Sequence, residues 1–228
     1  MCGRFTLTRS AAEVAKHFGL AAHPDLAPRY NIAPGQQVAA VRESSGLRRL
    51  DRWRWGLVPA WAKEPGVGAP LINARAETAA TRPAFREAWR RRRCLVPADG
   101  FYEWRRSAGQ RLPHHVSLPE GGLFAIGGLY ERWEPPEGEP LDTVTLLTCP
   151  ANAALQPLHE RMPLIVPHDH YAAWLACAQP DPRRTMEQAA PLAATLRFRP
   201  VDPCVNAVAC EGPHCLRPPP RTAQRELF

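Results

Sequence analysis

The sequence predicts an α+β fold, a single domain with a mostly antiparallel β core and a few flanking helices. Three observations predict it. Apolar segments at residues 95–98, 101–104, 116–118, 123–130 and 143–149 follow one another at short spacing between Gly and Pro clusters, as consecutive strands do. Helical periodicity is confined to a few short stretches. With 45% hydrophobic residues in 228, the chain can fill one sizeable core, and no internal repeat or interior linker divides it.

After an N-terminal strand-like stretch, Ser10-Ala11-Ala12-Glu13 has capping-box spacing, Val14 and Phe18 share a face, and Gly19 is a stop, so a short helix is expected. Residues 29–35, Arg-Tyr-Asn-Ile-Ala-Pro-Gly, have no helical period and read as a structured loop. Residues 38–42 and 47–55 flank Glu43-Ser44-Ser45-Gly46, and Arg52-Trp53-Arg54-Trp55 alternates polar with aromatic, which predicts a hairpin. Residues 56–70 are punctuated by Pro59, Pro65, Gly66, Gly68 and Pro70 and read as a long loop carrying Trp61. A helix is expected over 81–93, with Pro83 in its first turn, Phe85, Ala88 and Trp89 buried, and Arg86, Arg90 and Arg93 on another, solvated face. Beyond the β segments, helices are expected over about 169–177 and 185–190, then a strand pair near Arg197 and Val205. The domain is bounded at 1–212. Residues 213–228, rich in Pro and Arg, read as a tail that could wrap it.

No apolar run approaches the roughly 18 residues of a membrane span, and the start lacks the layout of a signal peptide. A soluble, cytoplasmic monomer with no membrane partner is expected. The seven cysteines, Cys2, Cys94, Cys149, Cys177, Cys204, Cys210 and Cys215, are odd in number and scattered, as reduced thiols are. A net charge of +7 comes mostly from arginine, whose planar fork suits phosphate, although many basic proteins bind no nucleic acid.

Four groups carry candidate chemistry. Once Met1 is removed, Cys2 offers an α-amine with pKa about 7.7–8.0 beside a thiol near 8.5. That pair captures an aldehyde: the amine forms a Schiff base and the sulfur closes a thiazolidine ring. The alternative is a small buried hydrophobe. Asn73 follows the apolar pair Leu71-Ile72 and can donate and accept, or simply cap a turn. Glu103, within Phe101-Tyr102-Glu103-Trp104, is placed for desolvation and proton transfer near neutral pH, or pairs with a neighbouring arginine at a rim. His159 can exchange protons at physiological pH or be structural.

Six blocks then carry a resemblance: Met1-Cys2-Gly3-Arg4-Phe5, residues 29–34, residues 55–61, Asn73-Ala74-Arg75-Ala76-Glu77-Thr78, residues 93–104, and His159-Glu160-Arg161-Met162-Pro163. In this order they resemble the SRAP family, the SOS-response-associated peptidases, from Met1 to about Val208. The resemblance implies a barrel-like β core and a protein that processes abasic sites in single-stranded DNA without a cofactor. It implies self-removal of Met1, a peptidase step, and linkage of Cys2 to the ring-opened abasic sugar as a thiazolidine, with lyase cleavage of the strand as an alternative fate. Asn73 would orient the terminal Cys, Glu103 would serve as acid and base, and His159 would assist ring opening or reversal. Arg4, Arg75 and Arg161 match phosphate-holding positions, Pro34 and Trp61 match base-stacking ones, and Asn31 belongs to the same DNA-binding set. Two departures are Ala62, where some relatives carry a second aromatic, and Glu160, where Asp is common.

Three other readings compete. A class II glutamine amidotransferase also begins Cys-Gly after Met1, yet gives no reason for the blocks at 101–104 and 159–163. A binding module for single strands would leave Cys2 inert. A zinc site from Cys204, Cys210, His214 and Cys215 has the spacing Cys-x5-Cys-x3-His-Cys, without the short Cys-x2-4-Cys knuckle, so no metal is expected.

Overall fold

A computed structural model of the chain describes residues 2–22, 24–107, 110–177, 187 and 195–220, with only the backbone at 106, 107 and 110. The strands in chain order are β1 (Phe5–Leu7), β2 (Arg29–Ile32), β3 (Gln37–Ser44), β4 (Leu47–Trp55), β5 (Asn73–Arg75), β6 (Arg93–Ala98), β7 (Gly100–Ser107), β8 (Gln110–Ser117), β9 (Phe124–Trp133), β10 (Leu141–Pro150), β11 (Arg161–Pro163), β12 (Ile165–Val166) and β13 (Arg197–Pro200). The described α-helices are α1 (Ala11–Phe18), α2 (Ala76–Ala79), α3 (Arg86–Arg91) and α4 (Tyr171–Leu175).

Five strands close on themselves. β4 pairs β3, β3 pairs β6, β6 pairs β9 and β9 pairs β10, all antiparallel, and β10 returns to β4 in parallel. Closure leaves this ring no unpaired edge. Ala40, Val41, Leu95, Val96, Ile126, Leu129, Val144 and Leu146 are completely buried. Adjacent residues such as Leu95 and Val96 are both enclosed because packed elements cover that side of the ring, so β6, β9 and β10 carry continuous buried runs while β4 keeps its alternation.

A second sheet, in the order β13-β8-β7-β1-β2, lies beside the barrel and holds the N-terminus. β1 is flanked on both sides, with Phe5 opposite Ile32 of β2 and Phe101 of β7. The Phe5 ring meets Trp55 of the barrel edge-on at 5.3 Å. Buried Asp99 fastens β1: Thr6 Oγ1 donates to it at 2.6 Å, and Thr8 donates through its backbone N–H at 2.6 Å and its hydroxyl at 2.5 Å. His115 Nε2 stands 3.2 Å from Thr6 Oγ1. A Cβ at Gly100 would run into the His115 ring, so only glycine lets β7 lie this close.

The single α+β domain and its mostly antiparallel barrel agree with the sequence reading, and the predicted hairpin is β3–β4, turning at Ser45 and Gly46 with φ of 53° and 75°, as a tight hairpin needs. α1 has its capping box at Ser10 and a left-handed Gly19. Other expectations change. Residues 29–32 are a strand rather than a loop, because β1 supplies a hydrogen-bonding partner that the local pattern does not reveal. The helix expected over 81–93 shrinks to α3. Pro83 disfavours helix at the residue before it, and turns at Thr78 and Arg82 fill the interval. Arg93 is not on a solvated face: it opens β6, is buried, and donates to the carbonyls of Trp174, Trp89 and Ala176 at 2.7, 3.2 and 3.0 Å. The helix expected at 169–177 is a 3-10 turn, His168–His170, followed by α4. β13 forms near Arg197, but Val205 lies in a 3-10 turn, Pro203–Asn206, started by Pro203 and the Asp202 side chain. The helix expected at 185–190 falls outside the described residues apart from Glu187. Among the described residues no helix is long and apolar enough to cross a membrane.

Candidate active site

Cys2 sits just before β1, completely buried, with its thiol 3.7 Å from the Arg4 carbonyl. Asn73 reaches it from the other layer. As the first residue of β5, which runs parallel to β10, Asn73 donates from Nδ2 to the Cys2 carbonyl at 2.8 Å. Its Oδ1 is buried with no hydrogen-bond partner among the described residues. Cys2 is therefore gripped where the barrel meets the second sheet. Burial, reinforced by the negative charge of Glu103, pushes its thiol pKa up, so the sulfur is held as a thiol.

Glu103 projects from β7, opposite His114 of β8, and is 4% exposed. Burial pushes its carboxyl up to about 7, with the Trp104 backbone N–H pulling the other way. A carboxyl at that value can both give and take a proton at neutral pH. His159 precedes β11. Its Nδ1 accepts from the Arg161 backbone N–H at 2.9 Å, which leaves the proton of the neutral ring on Nε2. Burial lowers its pKa, favouring that neutral ring.

A cleft of about 550 Å³ is lined by Gly3, Arg4, Pro34, Glu103, Trp104, Arg111, His159 and Asn206. It brings together four sequence-predicted residues, Arg4, Pro34, Glu103 and His159, with Gly3 adjoining Cys2. The remaining predicted residues lie elsewhere. Asn31 is completely buried and donates from Nδ2 to the carbonyls of Val205, Ala207 and Cys210 at 3.4, 3.0 and 2.8 Å. Arg4 Nη1 donates to Asn31 Oδ1 at 2.8 Å and to the Val205 carbonyl at 2.7 Å. Arg161 grips Glu77 with two hydrogen bonds of 2.8 and 2.9 Å and donates to the Thr148 carbonyl at 2.7 Å. Arg75 is exposed at the end of β5. Trp61 is 64% exposed on the loop after β4, outside the cleft lining.

Three lining residues escaped the sequence reading. The Arg111 guanidinium lies 5.6 Å from the Trp104 ring centroid, and Trp104 Nε1 donates to Asn206 Oδ1 at 2.6 Å. Trp104 closes the 93–104 block and could have been found there. Arg111 and Asn206 carried no local signal, since only β7–β8 pairing and the return of the C-terminal segment bring them in.

A carboxyl titrating near neutrality and a neutral imidazole share one arginine-bordered cleft, a buried thiol on the second residue lies behind its Gly3 wall with an amide gripping its carbonyl, and residues 1–208 match the SOS response associated peptidase (SRAP) family. The chain belongs to the SRAP family. It is 41% identical over 179 residues, 77% of this chain and 79% of the other, to the abasic site processing protein YoaM of Bacillus subtilis (strain 168). It is 33% identical to the abasic site processing protein HMCES of Gallus gallus, over 76% of this chain and 59% of that longer protein. Among solved structures, a Bacteroides thetaiotaomicron protein shares the fold with a TM-score of 0.82 at 21% identity, covering 95% of this chain and 99% of that one. A Bordetella bronchiseptica protein superposes with a TM-score of 0.72 at 26% identity, covering 88% and 100%.

Proposed function

We propose that this SRAP protein processes abasic sites in single-stranded DNA by covalent capture through Cys2. The observation that carries the reading is the grip of Asn73 on Cys2 beside a carboxyl titrating near 7; the names of the Bacillus and Gallus relatives support it. Hydrolysis of the Met1–Cys2 peptide bond consumes one water and frees the amine, for which Asn73 Oδ1 is the buried acceptor at hand. The ring-opened abasic sugar presents an aldehyde. Attack by the amine gives a carbinolamine, which loses water with protonated Glu103 as acid. The Cys2 thiol then adds to the resulting iminium carbon, its proton returning to the Glu103 carboxylate as the nitrogen recovers its lone pair, and the thiazolidine closes. His159, with its proton on Nε2, serves sugar ring opening as a donor. Arg4, Arg75, Arg111 and Arg161 meet the phosphates, and Pro34, Trp61 and Trp104 offer faces to bases. Abstraction of a sugar C2′ proton before ring closure leads instead to strand cleavage, the lyase branch. The protein acts in the cytoplasm on exposed single strands.

The test is a denaturing gel of purified protein mixed with abasic single-stranded DNA, alongside a variant whose added N-terminal residues cannot be removed. The mature protein should lack Met1 by intact mass and give a heat-resistant adduct. The blocked variant should bind the strand but give none, because an amide nitrogen is not nucleophilic. Equal crosslinking by both would overturn the mechanism.

A further inference from the structure

The segment behind the cleft carries a second constellation. Cys204 lies in the 3-10 turn Pro203–Asn206, His214 and Cys215 lie in another, Pro213–Leu216, and Cys210 stands between them. The turns are tied together: Asp202 accepts from the Cys204 N–H at 2.8 Å, and its own N–H donates to the Arg217 carbonyl at 2.9 Å. Gly212, with φ of 123°, permits the reversal between Cys210 and His214, and a Cβ there would stand 3.2 Å from the His214 ring. One donor atom from each of the four residues lies within 4.8 Å of all the others. Cys210 Sγ is 3.3 Å from His214 Nε2 and 3.5 Å from Cys215 Sγ.

We propose that Cys204, Cys210, His214 and Cys215 bind one Zn(II) ion as a structural centre. With Zn–S near 2.3 Å and Zn–N near 2.0–2.1 Å, a tetrahedron has donor–donor edges of roughly 3.5–3.8 Å. The two separations above reach those edges with shifts of a few tenths of an ångström. Three thiolates and an imidazole are a soft set that suits zinc, and four protein donors leave no open position for substrate. Binding releases the three thiol protons to solvent and leaves a centre of net charge −1. The spacing along the chain, which argued against a metal, is overridden because two turns rather than a knuckle bring the donors together.

The site's position gives it a task. Asn31 is anchored on the carbonyls of Val205, Ala207 and Cys210, Arg4 on that of Val205, and Asn206 forms part of the cleft wall. An ion fixing residues 204–215 would therefore fix the wall on which Arg4 is held. Three of the four ligands lie beyond the 1–208 family match.

Elemental analysis of the purified full-length protein should find one equivalent of zinc. Replacement by Co(II) should give the visible bands of tetrahedral, thiolate-ligated cobalt, a readout on the unmutated chain that does not depend on a variant folding. Stripping with a chelator should lower the thermal midpoint, and adding back one equivalent of Zn(II) should restore it. Cys210→Ser and Cys215→Ser should lose the metal, whereas His214→Cys should retain it with a shifted cobalt spectrum. Zinc well below one equivalent with no tetrahedral cobalt spectrum would overturn the proposal, as would a Cys210–Cys215 disulfide in freshly purified protein.

Discussion

Glu103 couples protonation to folding. Its carboxyl rises from an ordinary 4.5 to about 7 in the folded chain, so between those values the native state holds more protons than the unfolded one. Its contribution to stability is complete below pH 4.5 and is lost as pH rises through 7. Urea midpoints measured from pH 4 to 8 should therefore fall more steeply for the natural protein than for Glu103→Gln; parallel curves would show that the carboxyl is not raised. The same substitution should remove an inflection near pH 7 from the crosslinking rate while leaving strand affinity nearly unchanged. Arg161 makes a different prediction. Its two-point grip on Glu77 is only partly shielded from solvent, so Arg161→Ala should cost about 1–2 kcal/mol. A double-mutant cycle with Glu77→Gln should recover about 1 kcal/mol of coupling. An uncoupled pair would leave the guanidinium available for phosphate alone.

At the scale of elements, β1 positions Cys2, and β1 depends on the contact of Gly100 with His115. Gly100→Ala should destabilise the protein by about 2–3 kcal/mol in denaturant titration, because overpacking displaces the ring that meets Thr6. Adding His115→Ala should lower the further cost of Gly100→Ala, and simple additivity would locate the strain elsewhere. α1 and the β3–β4 hairpin were legible because caps, stops and left-handed turn residues act within a few positions. β2 and the shortened α3 were not: β2 exists through its partner β1, and α3 is trimmed by turns at Thr78 and Arg82 that the apolar spacing does not register. Arg93 was misread for a related reason, since its three carbonyl acceptors include two from the α4 region, some eighty residues away in the chain.

At the scale of the molecule, the charge of +7 becomes functional only where arginines gather at one opening. Each phosphate contact contributes roughly 0.7 to the log-affinity against log-salt slope for a single strand. Arg111→Ala should flatten the slope by about that amount, while Arg42→Ala, whose partner Asp51 lies on the barrel hairpin, should not. Equal slopes for the two variants would move the strand out of the cleft. By itself the sequence determined the fold class and the family and pointed to four candidate groups, Cys2, Asn73, Glu103 and His159, because strand and cap signals are local and the family blocks are short contiguous strings. Only the tertiary structure decided that Asn73 holds the Cys2 carbonyl, that Asn31 is a buried anchor while Arg111 borders the cleft, and that four donors spread from Cys204 to Cys215 converge. Those relations depend on distance through space, which closure of the barrel and the return of the C-terminal segment set, and which spacing along the chain does not contain.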